Sequence, residues 1–203
     1  ANLVGVFDTD TEKCEAVARE YDCKKYDSVE ALINDVDAVN IVTPTTSHHD
    51  IALQALKKKK HIFIENPVTA TEEQAQDLIK MAREQQCLIQ VGHIERFNPA
   101  MLALEDVEVK PVFVEAHRLA SFNPRGTDVS VVLDLMIHDL DIVLSVVKSN
   151  IKRISASGVA IVSEEPDIAN ARLEFDNGCV ANLTASRFSL KNMRKSRFFQ
   201  RNA

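Results

Sequence analysis

Apolar and polar residues follow two regular patterns through the first half of the chain. Short apolar runs bounded by turn residues predict buried strands, and the amphipathic stretches between them predict helices. Thr11, Ser47 and Thr71 are placed to cap three of these helices. The predicted elements are strands over 3–7, 37–42, 61–64 and 88–91 and helices over 11–21, 29–34, 48–58 and 72–86. Strands that alternate with helices in this way indicate βαβ units and a parallel sheet.

The pattern changes in the second half. Residues 112–118 alternate like a strand with one face toward solvent, and 129–147 is a strongly apolar helix. Further strands are expected over 151–162, 169–175 and 179–189. The turn Asp176-Asn177-Gly178 favours an antiparallel hairpin. The sequence therefore predicts an α/β fold, with a Rossmann-like parallel domain over 1–98 and an α+β domain with a mostly antiparallel sheet over 99–203.

Composition narrows the class of protein. The 203 residues are 45% hydrophobic, 27% charged and carry a formal net charge of −6, which argues against general affinity for nucleic acids or membranes. The start of the chain has neither the basic region nor the cleavage site of a signal peptide. The cysteines at positions 14, 23, 87 and 179 form no CxxC pair, so neither a zinc site nor a disulfide framework is expected. We therefore expect a cytoplasmic protein with reduced thiols.

Asp8 closes the first predicted strand. A carboxylate at this place in a dinucleotide-binding fold accepts hydrogen bonds from the adenosine ribose and repels a 2′-phosphate, so NAD is favoured over NADP. An ordinary loop aspartate before a helix is the other interpretation. The glycine-rich loop that binds pyrophosphate normally lies ~20 residues before the acid. Only seven residues precede Asp8, so we expect the first strand and its loop to be missing from this sequence.

Two further strand ends carry residues of interest. Thr43-Pro44 closes one strand, and His48 follows at the start of the next helix. Glu65-Asn66-Pro67 closes the following strand, and the proline holds Asn66 extended. Ligands of open α/β sheets bind at the carboxyl ends of parallel strands. From the Thr43-Pro44 segment alone, an ordinary strand-to-helix turn is the favoured interpretation.

Asp134 and His138 interrupt the apolar helix of the second half. They are four residues apart, so they share one helical face, where a carboxylate orients an imidazole and raises its basicity. Such a pair suits a general base, but a satisfied core histidine has the same spacing. A metal site is not expected, because no third ligand is evident.

Several motifs in order resemble the Gfo/Idh/MocA oxidoreductases. They are Val4-Gly-Val-Phe-Asp8, Val42-Thr-Pro-Thr45, His48, His61-Ile-Phe-Ile-Glu-Asn-Pro67 and Asp134-xxx-His138. These enzymes join an N-terminal Rossmann domain to a C-terminal domain with a large, mostly antiparallel sheet. The stretches 90–99 and 122–128 look like a branch of the family that oxidises a hydroxyl of UDP-N-acetylglucosamine with NAD.

The resemblance implies roles for individual residues. It implies His138 as the base, oriented by Asp134, with Asn66 at the position of a catalytic lysine. Contact with NAD is implied for Asp8, Thr43, Pro44, His48, Glu65 and Asn66, and contact with a sugar or its diphosphate for Arg96, Asn98, Asn123 and Arg125. The family also implies a homo-oligomer formed through the C-terminal sheet.

Departures from the family pattern leave two functions open. Besides the missing loop, Asn66 cannot supply the positive charge of a lysine, and further sheet strands are expected after Ala203. Lys59 stands where the family has a helix-ending glycine, at a position that favours positive φ. One function is an NAD-dependent oxidoreductase of a nucleotide sugar. The other is a non-catalytic truncated relative that serves as a sugar-binding or subunit-interaction module.

Overall fold

The computed structural model describes residues 1–104, 106–123 and 129–201. It divides the chain into two compact units, Ala1–Gly92 and His93–Ala203, so the division falls a few residues before the expected boundary at Asn98-Pro99. No helix in the described ranges is long and apolar enough to cross a membrane.

The first unit alternates strands and helices, as the sequence pattern predicts. Its strands are β1 (Gly5–Val6), β2 (Lys24–Lys25), β3 (Ala38–Ile41), β4 (His61–Ile64) and β5 (Ile89–Val91). Its helices are α1 (Thr11–Glu20), α2 (Val29–Asp35), α3 (His48–Lys57) and α4 (Glu72–Gln85), with a 3₁₀ turn at Thr45–Ser47 before α3. The short strand β2 was not anticipated, because Lys24-Lys25 carries no apolar signal.

The parallel sheet of this unit is split in two. One piece pairs β1 with β2, and the other has the order β3-β4-β5, with every pairing parallel. A doubly wound fold has the strand order 3-2-1-4-5-6. Removing its first strand leaves two pieces with the order seen in this unit. Among the described residues no strand pairs with the second edge of β1 or of β3.

Helix starts in this unit partly differ from the expected caps. Thr71 accepts a hydrogen bond from Gln74 N, as expected for a cap. The cap of α1 is Asp10, whose carboxylate accepts from Lys13 N, so the expectation for Thr11 was wrong by one residue. Ser47 makes no side-chain cap, because the 3₁₀ turn before α3 already supplies backbone partners there. Packing beneath these helices buries Ile33, Ile41, Leu56, Ile64 and Leu78.

The second unit contains a five-stranded sheet and two α-helices. Its helices are α5 (Pro99–Leu102), preceded by a 3₁₀ turn at Ile94–Phe97, and α6 (Ile137–Val146). Its strands are β6 (Pro111–Leu119), β7 (Ile151–Val159), β8 (Ile168–Phe175), β9 (Val180–Ser186) and β10 (Met193–Gln200). The order is β10-β6-β9-β8-β7, and only β6 and β9 run parallel, so the expected mostly antiparallel sheet is confirmed.

The expected continuous helix over 129–147 is interrupted. A π-helical segment, Val132–Met136, precedes α6. A π turn holds more residues than an α turn and often marks a functional site. It widens the helix at Asp134, four residues before His138. The core below it is formed by alternate residues of β6, β8 and β9, such as Val114, Leu173 and Leu183.

Candidate active site

Asp8, Thr43 and Glu65-Asn66 lie just after β1, β3 and β4, at the carboxyl ends of the parallel strands. Asp8, Thr43 and Pro44 are exposed, and Glu65 and Asn66 are half-buried. This is the edge at which open α/β sheets bind ligands. Five of the six residues expected to contact NAD therefore have the position that such a role requires.

One oxygen of the Asp8 carboxylate accepts a backbone hydrogen bond. Its Oδ1 accepts a hydrogen bond of 2.8 Å from Asp10 N, which orders the turn between β1 and α1. The Asp8 side chain is exposed. An acceptor at the end of this strand suits the hydroxyls of an adenosine ribose. Gly5, in contrast, serves packing, because a Cβ there would lie 2.3 Å from Lys24 O.

The Glu65-Asn66 turn packs against Gly92. The Asn66 side chain donates from Nδ2 to Gly92 O at 2.6 Å. A Cβ on Gly92 would lie 2.7 Å from Oε2 of Glu65, so any other residue there would force the Glu65 carboxylate to shift. The Asn66 amide is thus used in joining the turn after β4 to the residue after β5, which is a different task from that of a charged lysine.

His48 differs from the other residues expected to contact NAD. Its side chain is 1% exposed. Nδ1 lies 2.9 Å from Pro67 O, and Nε2 lies 2.8 Å from Thr43 O. Both ring nitrogens therefore face backbone carbonyls, and the ring does not reach the surface where a ligand would bind.

His138 lies in the second unit, half-buried near the start of α6. Its Nδ1 is buried and has no hydrogen-bond partner among the described residues. The orienting role expected of Asp134 stays a prediction. The pKa of His138 is lowered, first by burial and then by the positive charge of Arg118. The ring is therefore neutral near pH 7, as a proton acceptor must be.

A charged cluster surrounds His138. We use that name for Glu95, Arg118, Asp139 and Arg194, which come from four separate elements. The Arg118 guanidinium binds Asp139 at 3.0 and 3.1 Å and Glu95 at 3.2 Å, and Arg194 reaches the same Glu95 oxygen at 3.1 Å. Burial works to raise the pKa of Glu95, but the contacts with Arg118, Asn98 and Arg194 together more than offset this, and the pKa is lowered.

Sequence reasoning did not single out the members of this cluster. The available signal was their place in apolar elements, because Arg118 is 4% and Asp139 5% exposed. Buried charges of this kind are paired almost without exception. The pairing itself joins residues far apart in the chain, which no local pattern reveals.

The residues expected near the substrate have mixed positions. Arg96 forms a two-pronged ion pair with Asp141, with contacts of 2.7 and 2.5 Å. Asn98 caps α5 by accepting from Ala100 N at 3.0 Å. Asn123 is exposed, and Arg125 lies outside the described residues. The substrate roles of all four residues stay predictions.

Comparison with known proteins decides the family. The model for the oxidoreductase family with an NAD-binding Rossmann fold, GFO_IDH_MocA, matches residues 1–93, and the model for the GFO/IDH/MocA C-terminal domain matches residues 111–199. The chain belongs to the Gfo/Idh/MocA family. Its order of a Rossmann domain followed by a mostly antiparallel domain is therefore the family's own.

Individual relatives agree with this assignment. The chain is 42% identical to the UDP-N-acetylglucosamine 3-dehydrogenase of Acidithiobacillus ferrooxidans, over 98% of the chain and 64% of that protein. It is 30% identical to a scyllo-inositol 2-dehydrogenase (NAD(+)) of Bacillus subtilis, over 93% of the chain and 60% of that protein. The solved structure of the Acidithiobacillus enzyme superposes with a TM-score of 0.89, covering 97% of the chain and 66% of that structure. The chain thus spans less than two thirds of these relatives.

The residues present fit only part of a nicotinamide dinucleotide. Asp8 is an exposed acceptor at the strand end where an adenosine ribose would need one, and Thr43 and Asn66 follow the next two strands. No segment of the sequence matches the G-x-G-x-x-G loop that cradles a pyrophosphate. Within the described ranges, no group of three or more side chains has the arrangement of a metal site.

Proposed function

We propose that this chain forms part of an NAD-dependent oxidoreductase that acts on a hydroxyl of a sugar. The observation that carries the proposal is the placement of Asp8 at the carboxyl end of β1, with Thr43 and Asn66 at the ends of β3 and β4. The family model that matches residues 1–93 describes an NAD-binding Rossmann fold, which supports NAD as the ligand of this edge. Asp8 would repel a 2′-phosphate, so NAD is favoured over NADP.

His138 takes the proton of the reacting hydroxyl in this proposal. Its lowered pKa keeps a lone pair on the ring near pH 7. The charged cluster fixes β6, α6 and the 3₁₀ turn at Ile94–Phe97 around it through buried ion pairs. NAD supplies the hydride acceptor when bound. Asp134, in the π-helical segment, orients the ring in this proposal.

A nucleotide sugar is the substrate that we propose, because the relative with 42% identity is named for UDP-N-acetylglucosamine. The more distant relatives include inositol dehydrogenases, whose substrates are uncharged polyols. We also propose self-association through the sheet of the second unit, where the edge strand β7 is exposed along its whole length.

The substrate is tested with a form of the protein extended upstream by a first strand and glycine loop. Formation of NADH is followed with UDP-N-acetylglucosamine, UDP-glucose, N-acetylglucosamine and myo-inositol at equal concentrations. We expect the highest kcat/KM for UDP-N-acetylglucosamine. A highest value for myo-inositol would contradict the nucleotide-sugar proposal while leaving the oxidoreductase class intact, and activity with none of them would contradict both.

A further inference from the structure

The imidazole of His48 bridges two loops of the first unit. It is the first residue of α3, and its ring lies between the carbonyl of Thr43, after β3, and the carbonyl of Pro67, after β4. The contact distances of 2.8 and 2.9 Å are those of good hydrogen bonds. Because a carbonyl only accepts, each contact needs an N–H on the ring, so a neutral ring makes one of the two bonds and a doubly protonated ring makes both.

The two bridged carbonyls belong to the loops after β3 and β4, at the edge of the sheet where a ligand would bind. Thr43 O immediately precedes Pro44, and Pro67 O immediately follows Asn66 in the chain. Asn66 in turn holds Gly92 O through its amide. Side chains of His48 and Asn66 therefore join the loops after β3, β4 and β5 in series. This row of side-chain-to-backbone bonds runs along the carboxyl ends of the three strands.

The burial of His48 argues against direct contact with a ligand. Its ring is 1% exposed, so it does not present a nitrogen to a ligand at the surface. Its neighbour His49, by contrast, uses both ring nitrogens for carboxylates, Asp50 at 3.1 Å and Asp77 at 3.0 Å. The two adjacent histidines of α3 thus have different partners, loop carbonyls for His48 and carboxylates of α3 and α4 for His49.

We propose that His48 is a positioning residue, which holds the loops after β3 and β4 in one arrangement through its two ring nitrogens. Without the ring, both carbonyls lose the imidazole nitrogen that faces them, together with the hydrogen bonding it supplies, and the loops relax to find new partners. The loop arrangement does not depend on any ligand. Its consequence for NAD binding rests on the function proposed above.

Three substitutions separate the two bonds. In His48→Asn the side-chain nitrogen stands near the position of Nδ1, so the bond to Pro67 is retained. In His48→Gln the nitrogen stands near the position of Nε2, so the bond to Thr43 is retained. His48→Ala removes both bonds. His49→Asn is the matched control, because it removes a neighbouring histidine that bonds only to carboxylates.

Hydrogen exchange read by mass spectrometry tests the proposal on the 203-residue chain. We expect His48→Asn to speed exchange mainly in residues 43–47 and His48→Gln mainly in residues 65–71, while His49→Asn leaves both segments as in the unsubstituted chain. His48→Ala should speed exchange in both. Unchanged exchange in His48→Asn and His48→Gln, or equal acceleration in His49→Asn, overturns the proposal. The Asn and Gln variants decide the matter even if His48→Ala fails to fold.

A second readout connects the loops to the cofactor. In the upstream-extended form, we expect His48→Ala to weaken NADH binding about tenfold, since ordering worth one good hydrogen bond is lost. His49→Asn should leave the dissociation constant unchanged. Failure of the unsubstituted extended form to bind NADH overturns the proposed function, and the exchange experiment still decides the role of His48. Equal NADH affinity in His48→Ala and the unsubstituted form overturns the link between the loops and the cofactor.

Discussion

At the scale of single residues, the histidines show how surroundings decide chemistry. His48 faces two carbonyls, His49 lies between two carboxylates, and His138 lies beside the guanidinium of Arg118. The sequence singled out His48 and His138 but gave no sign of these different partners, because each partner comes from another element. Their titration should differ accordingly.

His49 and His138 should titrate on opposite sides of the ordinary histidine pKa of about 6.5. Burial pulls the pKa of His49 down, but hydrogen bonds to Asp77 and Asp50 more than offset it, so the pKa is raised. Burial and Arg118 lower the pKa of His138. NMR titration of the ring protons measures both, and Asp77→Asn should lower only the His49 value. A His138 pKa above that of His49 would contradict the described surroundings.

These directions fix the sign of the pH dependence of stability. His49 stabilises the fold fully below the unfolded-state pKa of about 6.5, and this contribution is lost as the pH rises through its higher folded pKa. His138 acts in the opposite sense, because it is buried neutral. It destabilises the fold as the pH falls below about 6.5, until its lower folded pKa is passed.

Lys59 offers a direct test of backbone strain. Its φ is +58°, which confirms that this position favours glycine. A side chain in the left-handed region costs about 1 kcal/mol, so Lys59→Gly should raise the free energy of unfolding by about 0.5–1 kcal/mol. Gln54→Gly, at an exposed position inside α3, is the control and should lower it by a similar amount. Urea unfolding measures both, and a loss of stability in Lys59→Gly would count against the left-handed conformation.

At the scale of elements, periodicity predicted most of the fold. The strand at His61–Ile64 has the expected bounds, because the apolar run ends directly at the turn Glu65-Asn66-Pro67. The predicted helix starts and lengths were wrong where a neighbouring side chain competes for the cap or where contacts with distant residues determine the backbone conformation. Asp10 displaced Thr11 as a cap, and the π-helical segment interrupted an apolar helix that has no glycine or proline to mark it.

The segment between β7 and β8 depends on one buried ion pair. Asp167 is 0% and Arg187 3% exposed, and Asp167 accepts from the backbone N–H of Ile161, Val162 and Ser163 as well as from Arg187 Nε at 2.8 Å. Despite burial, these donors hold the pKa of Asp167 far below its usual range.

Substitution of Asp167 should therefore destabilise the second unit. Asp167→Asn replaces an acceptor oxygen by a donor facing other donors, and we expect Tm to fall by about 10 °C. Glu164→Gln, on the exposed part of the same segment, should change Tm by less than about 2 °C. Differential scanning calorimetry compares the two. An Asp167→Asn variant as stable as Glu164→Gln would show that the pair does not hold the segment.

At the scale of the whole molecule, each unit contains some of the residues on which the proposed function depends. The first unit has the strand ends proposed to bind NAD, and the second has the neutral histidine within the charged cluster. The family and the order of domains could be read from motifs alone. The pairing of Arg118 with Glu95 and Asp139, and of His48 with two carbonyls, could not, because it depends on tertiary contacts between residues that are 19 or more positions apart in most cases.

The split parallel sheet predicts weak cofactor binding by this chain. Without a glycine-rich loop, the pyrophosphate lacks the backbone donors and helix dipole that normally bind it. We expect calorimetry of the 203-residue chain to show NADH binding no tighter than the millimolar range. An upstream extension with the loop should tighten it at least tenfold. Micromolar affinity in the unextended chain would show that the loop is dispensable.

The central claim is that His138 accepts the proton in a sugar oxidation, and a comparison of pH–rate profiles tests it most directly. NADH formation from NAD and UDP-N-acetylglucosamine is measured with the extended form, unsubstituted and as His138→Ala, between about pH 6 and 9. The account predicts that the substitution lowers kcat at least about a hundredfold and removes the dependence on a group with a lowered pKa. A His138→Ala variant that keeps both the rate and the pH profile of the unsubstituted protein would contradict it.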